Sequence, residues 1–231
     1  VTTNNVLGVK LVTMDGEIFE IGGSYLDAEA YDLLALIVGL AMFKRRVGDV
    51  YFSIVTQAIA AGLAYVTEDR KSLGLILEES IQRNITLANL RAVASNGLLN
   101  EARETQVAEG FRKSMNIRTP GVLQRVMNLS GGNQQKVVLS KWLFSEPDVL
   151  ILDEPTRGID VGAKFEIYGL INALSEQGKG VVMISSEMPE LLGMCDRIYV
   201  MNEGAIVGEL AADEASQERI MSMIVARKEK V

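Results

Sequence analysis

The sequence predicts an α/β fold built on a parallel sheet. Three observations carry the prediction. Strand-like and helix-like segments alternate from Leu63 onward, and a βαβα order implies parallel strands. Val149-Leu150-Ile151-Leu152 is apolar at every position, as a strand covered on both faces requires, and it runs straight into Asp153 and Glu154. Ser130-Gly131-Gly132 is a turn placed to open a helix.

The elements follow in chain order. Val9 to Met14 reads as a strand, Asp15-Gly16 as a hairpin turn and Glu17 to Ile21 as its partner. Leu33 to Phe43 is apolar and ends at Lys44-Arg45-Arg46. It falls far short of the ~20 residues that cross a bilayer, so it reads as a buried helix with a basic end. Leu63 to Val66 is a strand, and Ile76 to Asn116 is a helical region. Ile117 to Asn128 is a loop, and a helix follows from Gly132 to Phe144. After the strand at Val149 come a helix from Gly162 to Gln177 and a buried strand from Gly180 to Ser185. Pro189 to Met194 is a short helix that tolerates its proline in the first turn. Ile198 to Met201 and Ala205 to Leu210 form a hairpin across Glu203-Gly204. Ala215 to Ala226 closes the chain as a helix, and Arg227-Lys228-Glu229-Lys230 is a solvated end.

Composition narrows the function classes. A length of 231 residues suits one large domain or two small ones. A net charge of −7 argues against a nucleic-acid partner, whose phosphates call for basic patches. Cys195 is the only cysteine, which excludes an internal disulfide and fits a reducing cytosol. No targeting or lipidation pattern is read in the sequence.

The candidate chemistry sits at two places. Acids at the carboxyl end of a central strand point into the crevice where open α/β sheets bind ligands. Asp153 is placed to act on a Mg²⁺ ion through water, because Mg²⁺ keeps much of its hydration shell. Glu154 is placed to orient or deprotonate the attacking water in phosphoryl transfer. Ser130, Gly131 and Gly132 offer a hydroxyl and close-approaching N–H groups at a helix N-terminus, where orphan donors and the helix dipole favour anions. The plainer alternative is that the acids merely end a strand and Ser130 merely caps a helix.

Leu129 to Lys136, followed by Val149 to Pro155, resembles the signature motif and Walker B strand of the ATP-binding-cassette (ABC) ATPases. Asn133-Gln134-Gln135-Lys136, with Glu154-Pro155-Thr156-Arg157-Gly158-Ile159-Asp160-Val161-Gly162, is similar to the monosaccharide importers of that family, of the ribose, xylose and galactose type. Ala58 to Lys71 resembles the Q-loop region of the second nucleotide-binding half, and Ile85-Thr86-Leu87 part of the helical subdomain that touches the permease. Ser185 to Glu190 resembles that half's switch region, and Asp196 to Gly204 its late hairpin.

The resemblance implies a P-loop NTPase fold with a helical subdomain over residues 58–231. It implies ATP and Mg²⁺ as ligands. Ser130, Gly131, Gly132, Asn133, Gln134, Asp160, Glu68 and Ser186 would meet nucleotide, Asp153 the metal, and Glu154 would be catalytic. Glu68 stands at the usual Q-loop glutamine and Ser186 at the usual switch histidine, in a chain with no histidine at all. Asp160 matches the aspartate through which the halves communicate. The implied partners are a second ABC half and a membrane permease with its sugar-binding protein, at the cytoplasmic face of the plasma membrane.

A Walker A loop, Gly-x-x-x-x-Gly-Lys-Ser/Thr, does not occur. Gly162-Ala163-Lys164 lies after Walker B, and Gly178-Lys179-Gly180 has no Ser or Thr after its lysine. The family sheet is therefore expected to lack its first strands and the strand that carries the phosphate loop, with unpaired edges and reduced stability.

Upstream of Ala58 the sequence reads differently. Thr2 to Lys10 with Tyr31-Asp32-Leu33-Leu34 resembles the FAD-binding domain of glycolate-oxidase-type flavoproteins, without its pyrophosphate loop, over residues 1–39. Phe43 to Arg46 with Val50 to Gln57 is similar to permeases of urea and branched-chain amino-acid transporters, over residues 40–57. The chain is thus expected to be composite: an α/β truncated ABC ATPase behind a short α+β flavoprotein-like segment. Three readings stay open: a partial ATP-binding subunit of a sugar importer that is incompetent alone, a flavoprotein fragment, or a composite chain with no function.

Overall fold

The computed structural model describes residues 6–10, as backbone, together with 62–95 and 97–226. The hairpin expected after Lys10, the apolar segment Leu33 to Phe43, the basic residues after it, the permease-like stretch, Ala58 to Ala61 and the tail from Arg227 lie outside the described residues.

Six strands form one sheet in the order β2-β5-β6-β1-β7-β8. They are β1 (Val6–Lys10), β2 (Leu63–Val66), β5 (Val149–Asp153), β6 (Gly180–Ser185), β7 (Arg197–Asn202) and β8 (Ala205–Ala211). The strands β2, β5 and β6 are parallel, with Leu63 opposite Val149 and Asp153 opposite Ile184. Strand β1 runs antiparallel to both β6 and β7, and β8 antiparallel to β7, so the sheet is mixed rather than wholly parallel. The sheet is expected from the sequence to lack its first strands and to leave unpaired edges, but Val6–Lys10 lies between β6 and β7 and supplies ladder partners to both.

The apolar run of β5 has the consequence expected of it. Leu150 and Leu152 join the large core with Val181, Met183, Ile198 and Val200. Ile151 points the other way, into a second cluster with Val182, Ile184 and Tyr199. Alternation within an all-apolar strand thus feeds both faces.

Helix α1 (Ile81–Thr86) is capped by the Ser80 side chain, which accepts from Arg83 N, and α2 (Glu101–Ser114) by Asn100, which accepts from Arg103 N. Helix α1 packs against both α2 and α3 (Gly131–Leu143), and α3 lies on β2. Helix α4 (Val161–Glu176) packs on β6, α5 (Met188–Met194) on β6 and β1, and α6 (Gln217–Ala226) on β7 and β8. The helical region expected over Ile76 to Asn116 is interrupted. A 3₁₀ segment, Leu87–Val93, leads into a small hairpin of β3 (Ala94–Ser95) and β4 (Leu98–Leu99), turned at Gly97 with φ 79°. Glycine adopts this positive φ without the cost a side chain would bring, so Gly97 allows the chain to turn between β3 and β4 and ends the helical stretch.

Candidate functional site

Strand β5 delivers Asp153 and Glu154 to the end of the parallel part of the sheet. Asp153 is buried and accepts from the Tyr65 hydroxyl at 2.6 Å, a contact across β2 and β5. Glu154 has φ 49°, a left-handed conformation that costs a side-chain-bearing residue energy and is held only by its surroundings. Its own N–H donates to Ile184 O at 2.8 Å, and its Oε1 accepts from the Ser186 N–H at 2.8 Å. Burial pushes the Glu154 carboxyl above the usual carboxylate range, against the pull of the Ser186 hydrogen bonds, with Glu190 and Asp153 adding repulsion. A carboxylate raised in this way takes up a proton more readily than an ordinary one.

The two arms around Glu154 meet at one carboxylate. Glu190, buried at the start of α5, accepts from the Thr156 hydroxyl at 2.7 Å and from the Ser185 hydroxyl. Thr156 follows Glu154-Pro155, and Ser185 precedes Ser186. Ser185 Oγ in turn accepts from the Glu187 N–H at 3.0 Å.

The signature turn forms a separate place. Ser130 occupies the N-cap position of α3, yet its side chain accepts no backbone N–H there. It is exposed, and its Oγ accepts from Asn133 Nδ2 at 2.9 Å. The capping alternative for Ser130 therefore does not hold. Asp160, by contrast, does cap: its Oδ1 accepts from the Ala163 N–H at 2.9 Å at the start of α4. Ser130, Gly132, Asn133 and Asp160 line one cavity of about 160 Å³ with Arg118, Lys136 and Glu166. Lys136 is almost fully buried, donates to Asn116 O at 2.9 Å and pairs with Glu166. Its ammonium holds the Glu166 carboxyl below the usual carboxylate range.

Gly132 is where α3 and α4 touch. A Cβ on it would lie 2.6 Å from Ala163 Cβ. Gly132→Ala is expected to force the two helices apart and to cost about 1–3 kcal/mol, read as a lower denaturation midpoint at unchanged slope. An unchanged midpoint would show that the contact gives way freely.

The remaining expected residues are placed elsewhere. Gln134 turns inward: it is buried, its Nε2 donates to Val126 O at 3.2 Å, and it does not line the cavity. Glu68 pairs with Arg157 on a cavity of about 480 Å³ that also carries Arg70 and Gly158. Tyr65, Glu190, Lys136 and Arg118 were not singled out from the sequence. Tyr65 and Lys136 sit inside the stretches that carried the resemblance, so the signal was present for those two. Glu190 likewise ends the stretch that resembles the switch region, though its burial is visible only in the tertiary fold; for Arg118 the fold alone provides the signal.

Comparison with known proteins bears on the family and the fold. A family model described as ABC transporter matches residues 33–157. The chain is 52% identical over 223 residues to the L-arabinose transport ATP-binding protein AraG of Geobacillus stearothermophilus, covering 94% of this chain and 43% of that protein. It is 50% identical over 213 residues to the xylose import ATP-binding protein XylG of Thermoanaerobacter pseudethanolicus, covering 89% and 42%. It is 42% identical over 231 residues to the ribose import ATP-binding protein RbsA of Clostridium tetani, covering 96% and 45%. The chain thus spans less than half the length of these curated relatives. The 94% share exceeds what the residues from Ala58 onward can supply, so the relatedness continues upstream of that boundary. Neither the family model nor any of these relatives is a flavoprotein or a permease. The fold also matches an ATP-binding cassette solved as a dimer in a post-hydrolysis state bound to ADP and Pi, with TM-score 0.60 at 17% identity over 89% of this chain and 98% of that one.

Proposed function

This chain belongs to the ABC transporter family, and from that membership we propose that it is one nucleotide-binding half of a sugar importer, coupling ATP hydrolysis to carbohydrate uptake. The observation that carries the reading is the signature turn: an exposed Ser130 with no capping duty, at the N-terminus of α3, beside Asp160. Such a turn presents a hydroxyl and unpaired N–H groups to an anion. In this reading it closes on the γ-phosphate of ATP held by a second ABC half, with Asn133 and Asp160 beside it. The names of the relatives, transporters of arabinose, xylose and ribose, support a monosaccharide as the cargo. The partners are that second half, a membrane permease and a sugar-binding protein, and the place is the cytoplasmic face of the membrane. Among the described residues no helix is long and apolar enough to cross a membrane.

The residues at β5 fit Mg²⁺ in its usual mode. Among the described residues no cluster of three or more acid, His or Cys ligands exists. Mg²⁺ is commonly held by one or two carboxylates together with waters and phosphate oxygens, and Asp153 supplies one such carboxylate. When bound, the ion would neutralise charge on the phosphates. Glu154 orients the attacking water and takes its proton, held for that task by the Ser186 N–H. Ser186 brings a backbone donor where the family's usual side chain is histidine, and Gln134 acts by packing under the turn rather than by touching nucleotide.

Because no Gly-x-x-x-x-Gly-Lys-Ser/Thr loop occurs in the sequence, the chain is expected to be incompetent alone. A ligand at 100 times its Kd stabilises a binding-competent fold by about 2.7 kcal/mol. A thermal melt of the chain with Mg-ATP is therefore expected to show no such gain. A clear upward shift would mean that the chain builds a complete site by itself, and this part of the reading would fall.

A further inference from the structure

Three motifs that the sequence keeps far apart meet at one guanidinium. Arg70 follows Asp69, whose carboxylate caps the π-helical turn Arg70–Gly74 by accepting from Lys71 N and Ser72 N at 3.1 Å each. From there Arg70 Nη1 donates to Arg157 O at 2.7 Å and Nη2 to Gly158 O at 3.2 Å. Both carbonyls belong to the loop that joins Glu154 to Asp160. The same Nη2 lies 2.9 Å from where a Cβ on Gly131 would stand, so the guanidinium is packed against the first residue of α3. Glu68 reinforces the grip by pairing with the Arg157 side chain.

The chemistry suits a clamp. A guanidinium is planar, permanently charged and forked, so it can hold two successive carbonyls at once. A lysine ammonium is a point charge that holds one well. Gly158, with φ 67°, lets the loop turn so that both carbonyls face the fork. Gly131 leaves room for the fork to reach them.

We propose that Arg70 is a positioning residue that locks the Glu68 turn, the Arg157-to-Asp160 loop and the signature turn into one unit. Displacement of the Glu68 turn is then transmitted to Asp160 and Ser130 together. This deepens the functional reading above and rests on it for its bearing on ATP. The clamp itself can be tested on the full chain without ATP.

Amide hydrogen exchange reads it directly. The Arg157 N–H donates to Glu154 O, the Ala163 N–H to Asp160 Oδ1 and the Gln134 N–H to Ser130 O. In Arg70→Ala, exchange at these three amides is expected to speed up about tenfold or more, the worth of a hydrogen bond to a charged group, while the β7–β8 ladder keeps its rate. Arg70→Lys is expected to restore part of the protection. A residue that merely supports the fold would speed exchange in β7–β8 as well, and that result overturns the proposal. Unchanged exchange at the three amides in a folded variant overturns it too. If Arg70→Ala does not fold, Arg70→Lys carries the same test. In hydrolysis assays with a second ABC half, either variant should lower kcat and leave KM for ATP unchanged, because that half holds the phosphates. A wild-type chain that supports no hydrolysis would sink the functional reading, while the exchange result would still decide the role of Arg70.

Discussion

Ser130→Arg is expected to abolish the stimulation that this chain gives to a partner half, lowering the supported rate of ATP hydrolysis by about 10²–10³-fold, the usual loss when a donor to a developing phosphate or oxyanion charge is removed. Ser130 is exposed, its side chain caps nothing, and its oxygen accepts from Asn133 at 2.9 Å. The fold should therefore tolerate the change, and the melting temperature of the variant should match that of the wild type. The introduced arginine side chain fills the cavity beside Asp160 and Glu166 and keeps a phosphate from reaching the helix N-terminus. The comparison that matters is rate against melting temperature. A full rate in the Ser130→Arg variant would mean that the turn does not meet nucleotide.

Glu190→Ala is expected to give a large loss of stability, because it leaves two buried hydroxyls, Thr156 and Ser185, without their acceptor. Each orphaned buried group costs about 1–3 kcal/mol. The loss would be read from denaturant unfolding. Glu190→Gln keeps the shape and one good acceptor and should cost much less. The damage should be local before it is global: Thr156 and Ser185 anchor the arms that bring Glu154 and the Ser186 N–H to their 2.8 Å contact. A Glu190→Ala chain as stable as wild type would show that water or a neighbouring donor replaces the carboxylate.

The legible parts of the molecule were those where local pattern and tertiary demand coincide. Val149 to Leu152 could only be a strand buried on both faces, and it is. Gly180 to Ser185 reads the same way and forms β6 over those residues. The helix expected from Gly162 to Gln177 forms as α4 over Val161–Glu176, one residue earlier at each end, with Asp160 as its cap. The misread parts were settled by contacts between distant segments. The strand β1 lies between β6 and β7 although nearly the whole chain separates it from them, and no periodicity reports such a pairing. Glu190 sits in the first turn of a short helix, where an acid ordinarily faces water and the helix dipole. Its burial follows from the two hydroxyls that converge on it. Gln134 follows the glycines as a member of the signature motif, but helical geometry turns it from the cavity toward Val126. Glu68 carried a role by position alone, and the structure gives it Arg157 as a partner.

The central claim is that this chain supplies a half-site to a second ABC ATPase half. The direct measurement is the rate of ATP hydrolysis by a partner half with an intact phosphate loop, titrated with this chain. The account predicts a rate that rises with added chain, saturates, and is lost with Ser130→Arg. A rate that stays at the partner's own level at every concentration of folded chain would contradict it.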